Sequence, residues 1–247
     1  FDIKVLRRIA IGQQERLEAI EAGSWLSQGH VLDLTFLATA PNFETKTNGA
    51  THMGNDDIKL MNEIGSMRII DVSCPNLLIG IMKWVMEGNQ GLLYIRILRS
   101  PSPVLYREPV EFSYGASYVV QDAERPQAVI LSSGRGVYEA IDAAVLLKQQ
   151  HGVEVKVVDV PSVDESLFQQ LIEEDIPVLF AEQNNGFLWS EFRKYAFDKG
   201  LAHPERFAPV NTSDAHQRPQ YIHSATYEQL IDHFGLSPEK LIQKVRD

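Results

Sequence analysis

The sequence is poor in several things, and each shortage excludes a class of protein. Cys74 is the single cysteine of 247 residues, so neither an internal disulfide framework nor a cysteine-based zinc site can form. Basic residues are outnumbered, 23 against 33 acidic, for a net charge of −10. That argues against nucleic-acid binding, which draws on clustered Lys and Arg. The longest apolar run, Leu77 to Met86, is broken by Gly80 and Lys83 and falls far short of the roughly 20 residues of a membrane span. No charged-then-apolar leader opens the chain, and no repeat or low-complexity tract interrupts it. A reducing, cytoplasmic setting is the expectation. The chain opens on Phe1 rather than methionine, which suggests a piece of a longer gene product.

What is present is ordinary globular material, 44% hydrophobic and 23% charged. At this length a folded chain buries roughly three quarters of its unfolded surface, enough for one large core or two moderate ones. Apolar spacing predicts a helix over 9–26, a strand over 31–38, loop over 39–56 and a short helix over 57–64. A strand over 67–72, a helix from Pro75 to about Gly88 and a strand over 92–98 follow. The last, LLYIRIL, is apolar on both faces and so central in a sheet. Residues 100–126 hold four prolines and read as a linker with short edge strands. Strands over 128–133, 153–160 and 178–182 then alternate with helices over 137–149, 166–173 and 187–198, the pattern of a parallel sheet. Helices over 227–234 and 237–245 close the chain, the second with Ser237 as cap and Pro238 in its first turn. The fold class is therefore α/β, in two domains that each hold a mostly parallel sheet flanked by helices: 1–105, then a linker over 106–126, then 127–247.

Few residues stand out chemically. His52, in Asn48-Gly49-Ala50-Thr51-His52, precedes a short helix; it is either a turn histidine at the surface or a proton-handling ring beside an anion. Arg99 closes a strand of an open parallel sheet, where ligands collect, so it is a surface charge or a phosphate grip. Arg96, inside the same strand, needs an internal carboxylate partner or a solvated edge. Glu15 is a helix-dipole partner or a desolvated acid that holds a proton. Ser132 to Gly136 joins a strand to a helix with Asp159 ending the next strand, which invites a dinucleotide site. Glu139, however, falls where the third glycine belongs. His216 and His223 lack a third ligand pattern and read as loop histidines.

In order along the chain, Thr35-Phe36, Asn48 to His52, Asp57-Ile58, Met67 to Pro75 and Gly91 to Arg99 resemble the pyrimidine-binding domain of transketolases. Ala128 through Val160 to Glu182 is similar to the transketolase C-terminal domain, with Ala140 to Leu147, Gly152 and Val157-Val158-Asp159 the closest fit. Related families share the pattern: 1-deoxyxylulose-5-phosphate synthases and the beta subunits of 2-oxo acid dehydrogenases.

The resemblance implies thiamine diphosphate chemistry, in which a two-carbon ketol unit passes from a ketose to an aldose. It gives Glu15 the family's acid on the aminopyrimidine ring and makes Phe36 an apolar wall of the pyrimidine pocket. His52 becomes a histidine near the reacting carbons, and Arg99 the substrate-phosphate arginine. No metal ligand is expected in this chain, because nothing matches the Gly-Asp-Gly…Asn motif that holds diphosphate and magnesium. Thiamine diphosphate and Mg2+ then imply a partner, an N-terminal-section transketolase subunit, in a homodimer or heterotetramer. Arg16 stands where the family has Gln, and Thr39 where it has a second aromatic. A beta subunit of a 2-oxo acid dehydrogenase or decarboxylase and a non-catalytic assembly paralogue are the alternatives. Only fourteen residues separate Phe36 from Thr51, where the family pattern has several tens with a helix and a strand. The expectation is that residues have dropped out of the record there, since a parallel sheet that lost a crossover would not keep 92–98 buried on both faces.

Overall fold

The first sheet holds three parallel strands, β1 (Leu34–Thr39), β2 (Arg68–Asp71) and β3 (Leu92–Ile97), with β3 between the other two. The computed structural model describes residues 33–247 apart from 90, 202 and 247. The helix expected over 9–26, and Glu15 and Arg16 with it, lies outside the described residues. Burial follows from sheet position. Central β3 is covered on both faces, while edge strand β1 alternates between half-buried and exposed residues.

A 3-10 turn (Asn42–Asn48) and helix α1 (Asp57–Asn62) carry the chain continuously from β1 past β3 to β2. The turn is fastened at both ends, for Ala40 donates to the Ile97 carbonyl at 3.1 Å and Asn42 to the Gly54 carbonyl at 2.9 Å. Among the described residues the sheet has three strands, and one short helix carries the crossover from β1 to β2 with β3 buried.

Helix α2 (Pro75–Met86) opens on a proline, whose missing N–H is no loss in a first turn. It lays Leu77 and Ile81 on Ile70, Leu93 and Ile95 across the outer face of this sheet.

The second sheet runs β4 (Tyr118–Gln121), β6 (Val155–Asp159), β5 (Ala128–Ser132), β7 (Val178–Ala181) and β8 (Phe207–Val210), with β4 alone antiparallel. Helices α3 (Gly136–His151), α4 (Glu165–Glu173), α5 (Phe187–Lys199), α6 (Tyr227–His233) and α7 (Pro238–Arg246) complete it. β4 is the short edge strand expected of the linker. Strand β8 escapes the sequence pattern because Pro209 sits inside it, a residue that only an edge strand accommodates. Ser237 caps α7 through its backbone carbonyl, which accepts from Lys240 and Leu241, while its hydroxyl is buried without a hydrogen-bond partner. The expected side-chain cap is therefore absent.

Residues 34–247 pack as one unit. Ile58, Met61, Ile69 and Tyr94 share an apolar cluster with Leu131, Val158 and Phe180 of the second sheet and Phe168 and Phe192 of α4 and α5. Among the described residues no helix is long and apolar enough to cross a membrane.

Candidate functional site

Arg96 is fully buried in central β3, and its partners explain how a charge survives there. Its Nε lies 3.1 Å from Asp57 Oδ2 and its Nη1 3.0 Å from Asp71 Oδ2, while Nη2 donates to Asn42 Oδ1 and the Gly54 carbonyl, each at 2.6 Å. Tyr94 adds a hydrogen bond to Asp57 Oδ2 at 2.7 Å. Burial would pull the guanidinium down, but Asp57 and Asp71 outweigh it and raise its pKa. Burial pushes the Asp71 carboxyl up, and Arg96 opposes that. The internal carboxylate expected for Arg96 is thus two carboxylates. Asp71 is its register partner across β2 and β3, a legible signal because opposite charges in adjoining apolar strands must meet.

The same guanidinium forms the base of the loop from Ala40 to Gly54. It bonds the loop's first turn at Asn42 and its end at Gly54, where Pro41 and Gly54 also bridge. Ala40 (φ 60°) and Asn42 (φ 54°) are both left-handed, a strained backbone that the surrounding contacts must hold. On this loop His52 is exposed, with Thr51 Oγ1 2.8 Å from its Nδ1. Thr45 Oγ1 donates to the His52 carbonyl at 2.8 Å. The neighbouring Glu44 carboxylate accepts from the backbone N–H groups of Arg99 and Ser100 at 3.0 and 2.6 Å. One short turn thus links His52 and Arg99, both open to solvent, along the carboxyl end of the sheet. Phe36 lies elsewhere, on the inner face of β1, half-buried with its ring 6.3 Å from Tyr94.

At the carboxyl end of the second sheet, where a doubly wound fold would take a ligand, the chain fills its own sites. The four leading N–H groups of α5 are all occupied. Asn184 Oδ1 accepts from Gly186 and Phe187, each at 2.9 Å, and the buried Glu182 carboxylate accepts from Leu188 at 2.7 Å and Trp189 at 3.0 Å. Burial pushes Glu182 up to about 7 in spite of those bonds. Beside Gly134, before α3, stands Asp71: a Cβ on that glycine would lie 2.9 Å from both carboxylate oxygens, and Ser133 Oγ donates to one of them at 2.8 Å. A pyrophosphate has no place where a carboxylate already sits. Glu139 is buried as well, accepting from Tyr227 OH at 2.6 Å and Gln183 Nε2 at 3.0 Å.

The two sheets exchange hydroxyl–carboxylate bonds. As Ser133 serves Asp71, so Ser73 and Tyr106 serve Asp159 at the end of β6; the Ser73 bond is very short and the Tyr106 bond 2.7 Å. Burial pushes Asp159 up to about 7, the two hydroxyls opposing the rise. The Asp71 N–H donates to the Pro161 carbonyl at 2.8 Å and completes the junction.

Among the described residues no group of three or more His, Cys, Asp or Glu can hold a metal. The leading amides of α5, which could otherwise face an anion, are taken by Asn184 and Glu182. Neither His216 nor His223 belongs to such a group among the described residues.

The first sheet keeps an open rim at its carboxyl end, and the crevice of the second is filled by its own side chains. Residues 115–237 match the family described as the transketolase-like TK C-terminal domain, and this part of the chain belongs to it. It is 29% identical over 214 residues to a 1-deoxy-D-xylulose-5-phosphate synthase of Clostridium kluyveri, covering 80% of this chain and 31% of that protein. It is 29% identical over 132 residues to a 6-deoxy-6-sulfo-D-fructose transketolase subunit of a Clostridium species, covering 53% of this chain and 40% of that subunit. A putative transketolase C-terminal section of Methanocaldococcus jannaschii is 22% identical over 222 residues, 87% of this chain and 66% of that protein. The chain thus spans less than half the length of the first two relatives. Among solved structures, a split gene transketolase, described as an inactive beta4 tetramer, superposes with a TM-score of 0.69 at 20% identity, over 94% of this chain and 72% of that one. At that identity the likeness speaks for the fold.

Proposed function

We propose that this chain is the C-terminal-section subunit of a split, thiamine diphosphate-dependent transketolase-like transferase that moves a two-carbon ketol unit from a ketose phosphate to an aldose. The observation that supports this reading is the rim itself, where Thr45 bonds the His52 carbonyl and Glu44 the Arg99 and Ser100 backbone N–H groups from one short turn. When bound, thiamine diphosphate supplies the electron sink for carbon–carbon cleavage. Residues 1–105 act as the pyrimidine-side domain, 106–126 as linker and 127–247 as an interface-building domain. Glu15 serves as the acid on the aminopyrimidine and Phe36 as apolar support; His52 takes and returns substrate hydroxyl protons, and Arg99 binds substrate phosphate. An N-terminal-section partner brings the diphosphate and Mg2+ site, in a cytoplasmic homodimer or heterotetramer. The identities to transketolase subunits and the sealed crevice of the second sheet support a chain that works only in company.

The test is reconstitution with a chain carrying the Gly-Asp-Gly…Asn motif, thiamine diphosphate and Mg2+, assayed on a panel of sugar phosphates. Ketol transfer is expected, and Glu15→Gln should abolish it. Arg99→Ala should raise KM about ten- to hundredfold for phosphorylated substrates, the worth of a charge-assisted hydrogen bond of roughly 1.5–3 kcal/mol, and leave unphosphorylated ones alone. No transfer anywhere on the panel would overturn the reading, and an equal loss for both substrate classes would remove Arg99 from the phosphate.

A further inference from the structure

The loop that carries His52 is held from below by Arg96, but its outer side rests on the far end of the chain. The Ala50 N–H donates to the Ile222 carbonyl at 3.0 Å, and the Ala225 N–H returns a bond to the Lys46 carbonyl at 3.3 Å. Between them Gly49 takes φ 71°, and a Cβ there would lie 3.2 Å from the Ser224 nitrogen, so the two segments touch backbone to backbone. Phe43, fully buried, stacks on Phe234 with centroids 5.6 Å apart and planes 19° apart, and meets Tyr227 edge-on at 6.5 Å. Met53 enters the same apolar cluster as Ile222, Leu230 and Ile231. His52 is therefore exposed while residues on both sides of it are fastened to the C-terminal part.

We propose that the strip 222–225 together with Phe234 is a positioning element for His52: the C-terminal part of the chain fixes where the imidazole stands beside the Arg99 rim. The proposal rests on the reading of His52 as a substrate-side residue, and it gives the second sheet's domain a role at the site besides building interfaces. The backbone bonds alone do not set the loop, because each end of them is itself a loop; the buried Phe43–Phe234 stack supplies the rigid reference. Phe234 touches no substrate and acts only through Phe43.

Hydrogen exchange of the full chain tests this without any activity. Phe234→Ala should speed amide exchange over 43–53 at least tenfold relative to β5 and β6, and Phe234→Leu should restore most of the protection. In the reconstituted complex Phe234→Ala should lower kcat about tenfold with little change in KM for phosphorylated substrate, since the Arg99 contact stays in place. Unchanged exchange over 43–53, or a rise only in proportion to a uniform increase through the core, overturns the proposal. If Phe234→Ala fails to fold, Gly49→Ala, which strains the same contact from the loop side, must give the same local exchange pattern. Should the complex transfer no ketol unit at all, the exchange result still decides the positioning claim, and the failure belongs to the proposed reaction.

Discussion

Arg96 and Asp159 show how much a single buried ionisable group can decide. Removing the Arg96 charge leaves Asp57 and Asp71 facing each other without a cation, so Arg96→Met should cost about 3–5 kcal/mol in urea unfolding. Asp159 behaves oppositely. Burial holds its carboxyl up to about 7, whereas the unfolded chain releases that proton near the ordinary value of 3.8. Between these limits the unfolded state binds fewer protons than the native state, so stability falls as pH rises toward 7 and levels off above it. Glu182, also raised to about 7, adds to the same slope. Asp159→Asn keeps an acceptor for Ser73 and Tyr106 without the charge. It should raise the urea midpoint at pH 8, by about 1–3 kcal/mol in free energy, and flatten the profile between pH 5 and 8. A variant no more stable at pH 8 than the parent would mean the carboxylate is better accommodated than its burial implies.

Among the elements, helix α2 and the turn after α1 make contrasting predictions for the same substitution. A Cβ on Gly80 would lie 2.0 Å from the Val110 carbonyl oxygen, inside the contact between α2 and the chain after β3. Gly80→Ala should therefore destabilise by about 1–3 kcal/mol despite alanine's better helix propensity, because the obstacle is backbone. Gly65 has open space around its would-be Cβ and no left-handed backbone. Gly65→Ala should stabilise by about 0.4–1 kcal/mol, through the unfolded chain. Thermal melts of the two variants should move in opposite directions. Most elements were legible in advance because their apolar spacing is strong and their ends carry ordinary signals: Pro75 at the start of α2, Gly152 in the left-handed cap of α3. Strand β8 was not, since Pro209 and its four-residue length hide it, and only the neighbouring β7 makes it a strand.

At the scale of the whole molecule, the shared cluster between the sheets argues for joint unfolding. Tyr94 and Ile69 bury against Leu131 and Phe180, so neither sheet keeps its core without the other. Trp84 on α2 and Trp189 on α5 report on the two parts. Variants that retain one of these two tryptophans should show coincident urea transitions, and separated midpoints would show two independently stable halves. The candidate site was legible only in pieces. His52 and Arg99 could be singled out by their positions at a loop and a strand end, but Glu44, which ties their segments together, carries no mark in the sequence. The same holds for Asn184, whose side chain closes the first amides of α5 to any outside anion.

By itself the sequence determined the α/β class and the order of nearly every strand and helix, and it narrowed Arg96 to an internal carboxylate partner or a solvated edge, because periodicity and buried charge are local constraints. The tertiary structure alone decided three things: that the loop from Ala40 to Gly54 is fastened to Arg96 and Ile97, that the second sheet's crevice is sealed by its own side chains, and that the residues around His52 are held by residues near 222–234. Each depends on contacts between segments far apart in the chain, and no local pattern of residue types encodes which distant backbone will be the neighbour.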